Sequence, residues 1–305
     1  MKTRIVLLIN SFIFFSILSK AQIQQNIINT SGNVVSHPIS EIDSIRFNSA
    51  GNQMQVVLQG GETQSHLLVE IDSVTFEEAG CAATSHTCGE PCVHNPNLSY
   101  GTMTDQQGNE YKTIVIGTQE WMAENLKTSI YRNGDAIANV TDNNEWTLLT
   151  TGAWCYFNND SQYECPYGKL YNWYAAADAR NVCPVGWHVP SDAEWNVLIG
   201  YLDPTYDPNV SGAQDTIAGG KMKTVNGWYE PNIATNESGF SGIPGDYRNF
   251  SGEFNFFGLS TGYWWSVTEF NPYFAWYRYL YSSNSSVSRY PDNKFLGMSV
   301  RCVKD

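Results

Sequence analysis

Trp195, Leu198, Ile199 and Leu202 recur at i, i+3, i+4 and i+7, the spacing of one apolar face of a helix. Ser191 stands ahead of this run with Glu194 three residues on, which predicts a capping box. Pro190 blocks extension backwards. Leu170, Trp173, Tyr174 and Ala177 predict a second helix face. Elsewhere the period is two. Residues 111–116 (YKTIVI) read as a strand turned back by Gly117-Thr118-Gln119. Ala275, Tyr277, Tyr279 and Tyr281 alternate with Trp276, Arg278 and Leu280, and Leu296, Met298, Val300 and Cys302 alternate likewise. These predict two antiparallel strands joined by a polar loop, SSNSSVSRYPDNK, over 282–294.

The first 80 residues have a different texture. Residues 36–47 (SHPISEIDSIRF) repeat as 65–76 (SHLLVEIDSVTF), 29 residues later. Each copy follows a hairpin-like stretch, 26–37 and 55–66, with Gly-Asn or Gly-Gly at its turn. Two copies are too few for a solenoid, so 22–80 is expected to be a small β unit in which both copies pack together. His37 and His66 recur with the repeat and read as structural rather than as a metal pair. The motif resembles a short EIDSITF-type element found ahead of surface domains in secreted Bacteroidetes-type proteins. Residues 81–100 read as a cysteine-containing linker. There His86, Cys88, Cys92 and His94 could hold zinc, but a Cys88–Cys92 or Cys81–Cys88 bridge is the better reading of an exported chain.

Export is expected from residues 1–21. Lys2 and Arg4 precede the apolar stretch 6–18, and Ser19 and Ala21 form a small-residue cleavage site, the pattern of a signal peptide. The apolar run is too short to span a bilayer. Of 17 basic residues three (Lys2, Arg4, Lys20) leave with the leader, against 30 acidic ones, so the exported chain carries a net of −16. That excludes nucleic acid and anionic membrane as natural partners. Seven cysteines follow the leader. The lone, well-placed Cys183 and Cys302 predict one disulfide, and Cys155 with Cys165 a second, spanning a loop.

Beyond residue 100 several motifs occur in order: GTMTDQQGNEYKTIVIGTQEWMAENLK, GKLYNWYAA, CPVGWHVPSDAEW, AGGKMK, GYWWS, AWYRYLY and GMSVRCVKD. Over about 100–305 they resemble the Fibrobacter succinogenes major paralogous domain. That family is similar in turn to the C-type-lectin-like fold of formylglycine-generating enzymes. The resemblance implies an α+β domain at 101–305, with two helices around a twisted antiparallel sheet and long loops. It also implies export or surface display, and no established ligand.

The formylglycine-generating enzymes carry a redox-active cysteine leading a C-Y-R-Y-R run. Here Trp276 occupies that position in Trp276-Tyr277-Arg278-Tyr279-Leu280, and no cysteine lies between 183 and 302. A thiolate nucleophile is missing, so that activity is not expected. Asp192 and Glu194 read as first-turn helix acids, and His188 as a structural histidine. Glu230-Pro231-Asn232 resembles the calcium and sugar triplet of C-type lectins. The later strand, however, reads Trp264-Trp265-Ser266 without the Asn-Asp of that site, and calcium through Glu230 and Asn232 is the only cofactor to consider. Aromatic side chains stack on sugar rings and also fill cores. The clustered aromatics read mostly as core, and Trp228, Tyr229, Trp264, Trp265, Tyr277 and Arg278 are the candidate ligand-contacting set. The functional expectation is an exported, non-enzymatic binding module, with carbohydrate or another surface protein as partner. The alternative is a secreted hydrolase or oxidase-like enzyme with an unrecognised site.

Overall fold

The computed structural model describes residues 23–29, 34–38, 42–47, 52–58, 60–67, 71–78, 93–214, 216–254 and 259–305. The expected leader, the expected bridges among Cys81, Cys88 and Cys92 and the side chain of His37 lie outside the described residues. The chain divides near residue 82 into two compact units.

The N-terminal unit has six strands: β1 Ile23–Asn29, β2 Val34–Pro38, β3 Ile42–Phe47, β4 Gln53–Leu58, β5 Thr63–Leu67 and β6 Ile71–Glu78. They form two antiparallel sheets, ordered β2-β1-β6 and β3-β4-β5. Each repeat copy therefore supplies a hairpin to one sheet and its EIDS-containing strand to the other. The third strand of each copy crosses over to complete its sister's hairpin, which is why neither copy forms a sheet alone. Ile27 of the first sheet is buried with Met54 and Val56 of the second.

The C-terminal unit is a mixture of antiparallel sheets and few helices, an α+β arrangement. A five-stranded sheet runs, edge to edge, Trp187–His188, Val303–Lys304, Gln119–Met122, Glu110–Ile116 and Gly101–Thr104. Ile116 pairs directly with Gln119 across a two-residue turn, and Gly117 supplies the positive φ of 62° that turn requires. A four-stranded sheet runs Gly212–Gln214, Val287–Asn293, Phe274–Tyr281 and Thr261–Glu269.

The expected capped helix is Asp192–Leu202, with a complete Ser191–Glu194 capping box and Trp195, Leu198, Ile199 and Leu202 buried. Trp195 packs on Trp121 with ring centroids 4.8 Å apart. Cys183 and Cys302 form a disulfide with a Cα separation of 6.0 Å, and it ties the segment leading to this helix to the chain's last residues.

Three expectations are corrected. The second helix is one turn, Trp173–Ala176, because Leu170–Tyr171 is drawn into a strand against Cys155 and Trp154 and Asn172 then caps the turn. The polar loop 282–294 contains the strand Val287–Asn293, whose partner is Phe274–Tyr281. The alternation over 296–302 is not a half-buried strand. Every residue from 296 to 303 is buried, and the segment is held by single bridges from Gly297 to Arg248, Met298 to Tyr171 and Ser299 to Trp264. Its polar members are buried with partners: Arg301 donates to Asn125 Oδ1 at 2.9 Å and to Ser241 O at 2.8 Å, and also to Phe240 O.

Candidate functional site

Two loops of the C-terminal unit face each other across a hollow of about 510 Å³. One wall is the loop 157–167. Asp160 caps the short turn Ser161–Tyr163 by accepting from Gln162 N. Gly168 then brings the backbone against Leu126: an added Cβ would sit 2.8 Å from Leu126 O, at a φ of 74°. Lys169 anchors the loop base. Its ammonium bonds Glu164 and Lys127 O and lies 4.7 Å from the Trp154 ring centroid and 5.2 Å from that of Tyr156.

The opposite wall is the segment 224–232. Buried Trp228 donates from Nε1 to Thr224 Oγ1 and to Gly242 O, both at 3.0 Å. Asn232 donates to Thr224 O at 3.2 Å and Val225 O at 3.0 Å. Ile243 and Pro244 also line the hollow, as does Val93. Tyr163 and Tyr167 contribute aromatic rings, and Gln162 and Asn226 contribute amides. Among the described residues, none lining this hollow carries a charge at neutral pH.

A smaller hollow shares Tyr163, Tyr167 and Pro244 with the first and continues to Asp246 and Leu259. Tyr229 N donates to Leu259 O at 2.9 Å, and the Tyr229 side chain is 64% exposed. From residue 247 a row of tyrosines begins. Tyr247 lies 4.5 Å from Tyr263, Tyr263 stacks on Tyr279 at 5.3 Å, and Tyr279 on Tyr290 at 6.3 Å. Strand register places Tyr263 opposite Tyr279 and Tyr277 opposite Tyr290, so these rings share one face of the four-stranded sheet. Burial pushes the Tyr263 and Tyr277 hydroxyls well above the ordinary tyrosine range, so both stay protonated.

Of the six candidate ligand contacts, only Tyr229 is exposed. Trp228, Trp264, Trp265, Tyr277 and Arg278 are buried. For the four strand residues the reason is that both faces of the sheet are covered at these positions. Trp264 donates to Asn125 Oδ1 on one face at 2.9 Å, and Trp265 to Tyr171 O on the other at 2.9 Å. Arg278 pairs with Asp192. Trp276, at the position of the missing cysteine, is half-buried with the Arg289 guanidinium 3.6 Å from its ring centroid.

The Cys155–Cys165 bridge is not formed. Cys155 is a free, buried thiol, while Cys165 is disulfide-bonded to a cysteine outside the described residues. Cys155 faces inward from the strand Ala153–Cys155, and Arg248 interacts with it there.

Glu230 and Asn232 do come together: Asn232 N donates to Glu230 Oε2 at 2.9 Å, and Asn232 Oδ1 is buried without a hydrogen-bond partner. Calcium takes roughly six to eight oxygens. Among the described residues no group of three His, Cys, Asp or Glu side chains gathers to hold a metal. His94, from the set that could have held zinc, sits 3.0 Å from Glu124 in a buried pair.

Sequence reasoning missed Gln162, Tyr163, Tyr167 and Asn226, because they sit in loops without periodicity. The row was partly legible, since Tyr279 sits in a predicted strand, but Tyr247, Tyr263 and Tyr290 lay outside any predicted strand.

The sequence profile of the Fibrobacter succinogenes major domain matches residues 114–304. No curated protein and no solved structure matches the chain.

Proposed function

We propose that this chain, which belongs to the Fibrobacter succinogenes major domain family, is an exported or cell-surface binding module for neutral carbohydrate, without catalytic activity. The observation that carries this reading is the uncharged hollow between the loop 157–167 and the segment 224–232. Its volume lies within the roughly 300–1,000 Å³ range of small-ligand sites. Tyrosine faces beside amide side chains suit a sugar, whose ring has apolar C–H faces and a hydroxyl edge. A hydrolase would need carboxylates converging on a cleft, and among the described residues none lines this one. The acidity of the chain favours a neutral ligand over an anionic one.

The C-type-lectin-like fold is part of the same proposal. It is supported by Val303–Lys304 lying between Gln119–Met122 and Trp187–His188 in one sheet, with the Cys183–Cys302 disulfide beside them.

Glycan-array binding with the purified protein tests the function. Binding to neutral glycans is expected, and a variant with Tyr163→Ala and Tyr167→Ala should lose it while keeping the wild-type unfolding midpoint. Absence of any glycan signal, or binding that survives the double substitution, would overturn the reading.

A further inference from the structure

The hollow does not end at its own walls. Its smaller continuation reaches Asp246 and Leu259, and the next residue, Tyr247, starts the tyrosine row. Consecutive centroids along that row are 4.5, 5.3 and 6.3 Å apart. Tyr247, Tyr263 and Tyr279 are half-buried and Tyr290 is 38% exposed, so the rings are fixed by packing from below and still reach water. Rings held in this way lose little conformational freedom when a ligand arrives. Tyr277 is buried on the same face, opposite both Trp265 and Tyr290.

The charged groups around the row on this face are all acids: Asp246 acts on Tyr263, and Glu269 and Asp292 lie opposite Ala275. In register, the pairs on this face are Thr261 with Tyr281, Tyr263 with Tyr279, and Trp265 with Tyr277. Ser288 faces Tyr279, and at the far end Ala275 lies between two acids, Glu269 and Asp292. The neighbouring arginines point to the other face: Arg278 and Arg289 are paired in register and both bond Asp192 of the helix. An anionic polymer would meet no cation along this path, and an apolar peptide would leave a line of hydroxyls without partners. A chain of neutral sugars offers alternating C–H faces and hydroxyl edges.

We propose that Tyr247, Tyr263, Tyr279 and Tyr290 extend the hollow into a track for a neutral polysaccharide, so that the protein grips several consecutive sugar units rather than one terminal sugar. This rests on the carbohydrate reading of the hollow and adds the polymeric class of its ligand.

Isothermal titration of the full exported chain with neutral β-1,4-linked glucan, xylan and mannan oligomers, from disaccharide to hexasaccharide, tests it. For the series that binds, affinity should rise by about tenfold or more from disaccharide to hexasaccharide. Tyr290→Ala, on an exposed ring, should flatten that rise and leave the disaccharide unchanged, and Tyr290→Phe should keep most of it. Tyr163→Ala should weaken every length. Length-independent affinity, or a hexasaccharide indifferent to both Tyr279→Ala and Tyr290→Ala, overturns the track and leaves the hollow as the sugar site. A folded protein that binds no series sinks the track, and the array result then decides whether the hollow keeps its sugar assignment.

Discussion

Arg278 Nη1 lies 2.8 Å from Asp192 Oδ1, and the two side chains are 1% and 12% exposed. The same carboxylate accepts from Arg289 Nη2 at 2.8 Å. One first-turn helix acid is thus shared by two arginines projecting from adjacent strands. Burial pushes the Asp192 carboxyl up, but Arg289 and Arg278 outweigh it and hold it below the ordinary carboxylate range. Arg278 Nη2 also bonds Asn196 Oδ1 at 2.6 Å, one helical turn further on.

Asp192→Ala strands both guanidiniums. Removing one partner of a buried ion pair costs about 3–5 kcal/mol, so the variant should unfold at markedly lower urea than wild type. A loss below about 1 kcal/mol would show that the arginines find other partners.

Trp264 and Trp265 provide the contrast between core and ligand contact. Both are at most 1% exposed and both donate through the indole N–H. Either one changed to Ala should cost about 3–5 kcal/mol of stability. At temperatures where the variant remains folded, glycan affinity should stay at the wild-type level. Lost binding with stability intact would return these residues to the ligand site.

Much of the frame was legible because it rests on local rules. Ser191 and Glu194 announce a helix start, Gly117 a turn, and the 29-residue repeat a pair of copies that pack together. What escaped depends on what covers each face. Period two tells that Tyr277 and Arg278 point opposite ways, but not that both directions are buried. Leu296 to Cys302 has the polarity of a surface strand, yet Arg301 is accommodated in the interior by carbonyl and amide oxygens and by the Phe240 ring, 4.2 Å from its guanidinium. The hollow was illegible for a related reason. Gln162 and Asn226 are 64 residues apart in the chain and meet only because separate anchors, Lys169 and Trp228, fix their loops.

The cysteines give a third prediction. Burial pushes the Cys155 thiol up to about 12, against the lowering effect of Arg248, and the thiolate is the reactive form. A maleimide should therefore leave Cys155 unlabelled in the native protein and label it in urea. Peptide mapping should recover Cys183 joined to Cys302. That bond closes a loop with a sequence separation of 119, so changing both cysteines to Ala should cost about 4–5 kcal/mol by chain entropy. Native labelling of Cys155 would contradict its placement.

His188 supplies the pH dependence. Its Nε2 lies 2.7 Å from Glu194 Oε1 and its Nδ1 2.7 Å from Asp305 Oδ1, joining the helix cap to the chain's last residue. Burial pulls the imidazole pKa down, but the Asp305 and Glu194 carboxylates outweigh it, and it stands above the ordinary 6.5. A folded-state value above the unfolded one means that the folded protein binds the proton more tightly. This contribution is complete below about pH 6.5 and is lost as pH rises through the raised folded value. Glu194 runs the other way: burial raises its pKa, but Ser191 and His188 bring it below 4.5. Its share is present above about pH 4.5 and is lost as pH falls through the lowered folded value. The two contributions coincide between about pH 4.5 and 6.5. Urea unfolding should therefore give wild type a larger advantage over His188→Gln at about pH 6 than at about pH 8.5. An advantage that is equal at both values, or larger at the higher one, would show that His188 is not held as the imidazolium between these carboxylates.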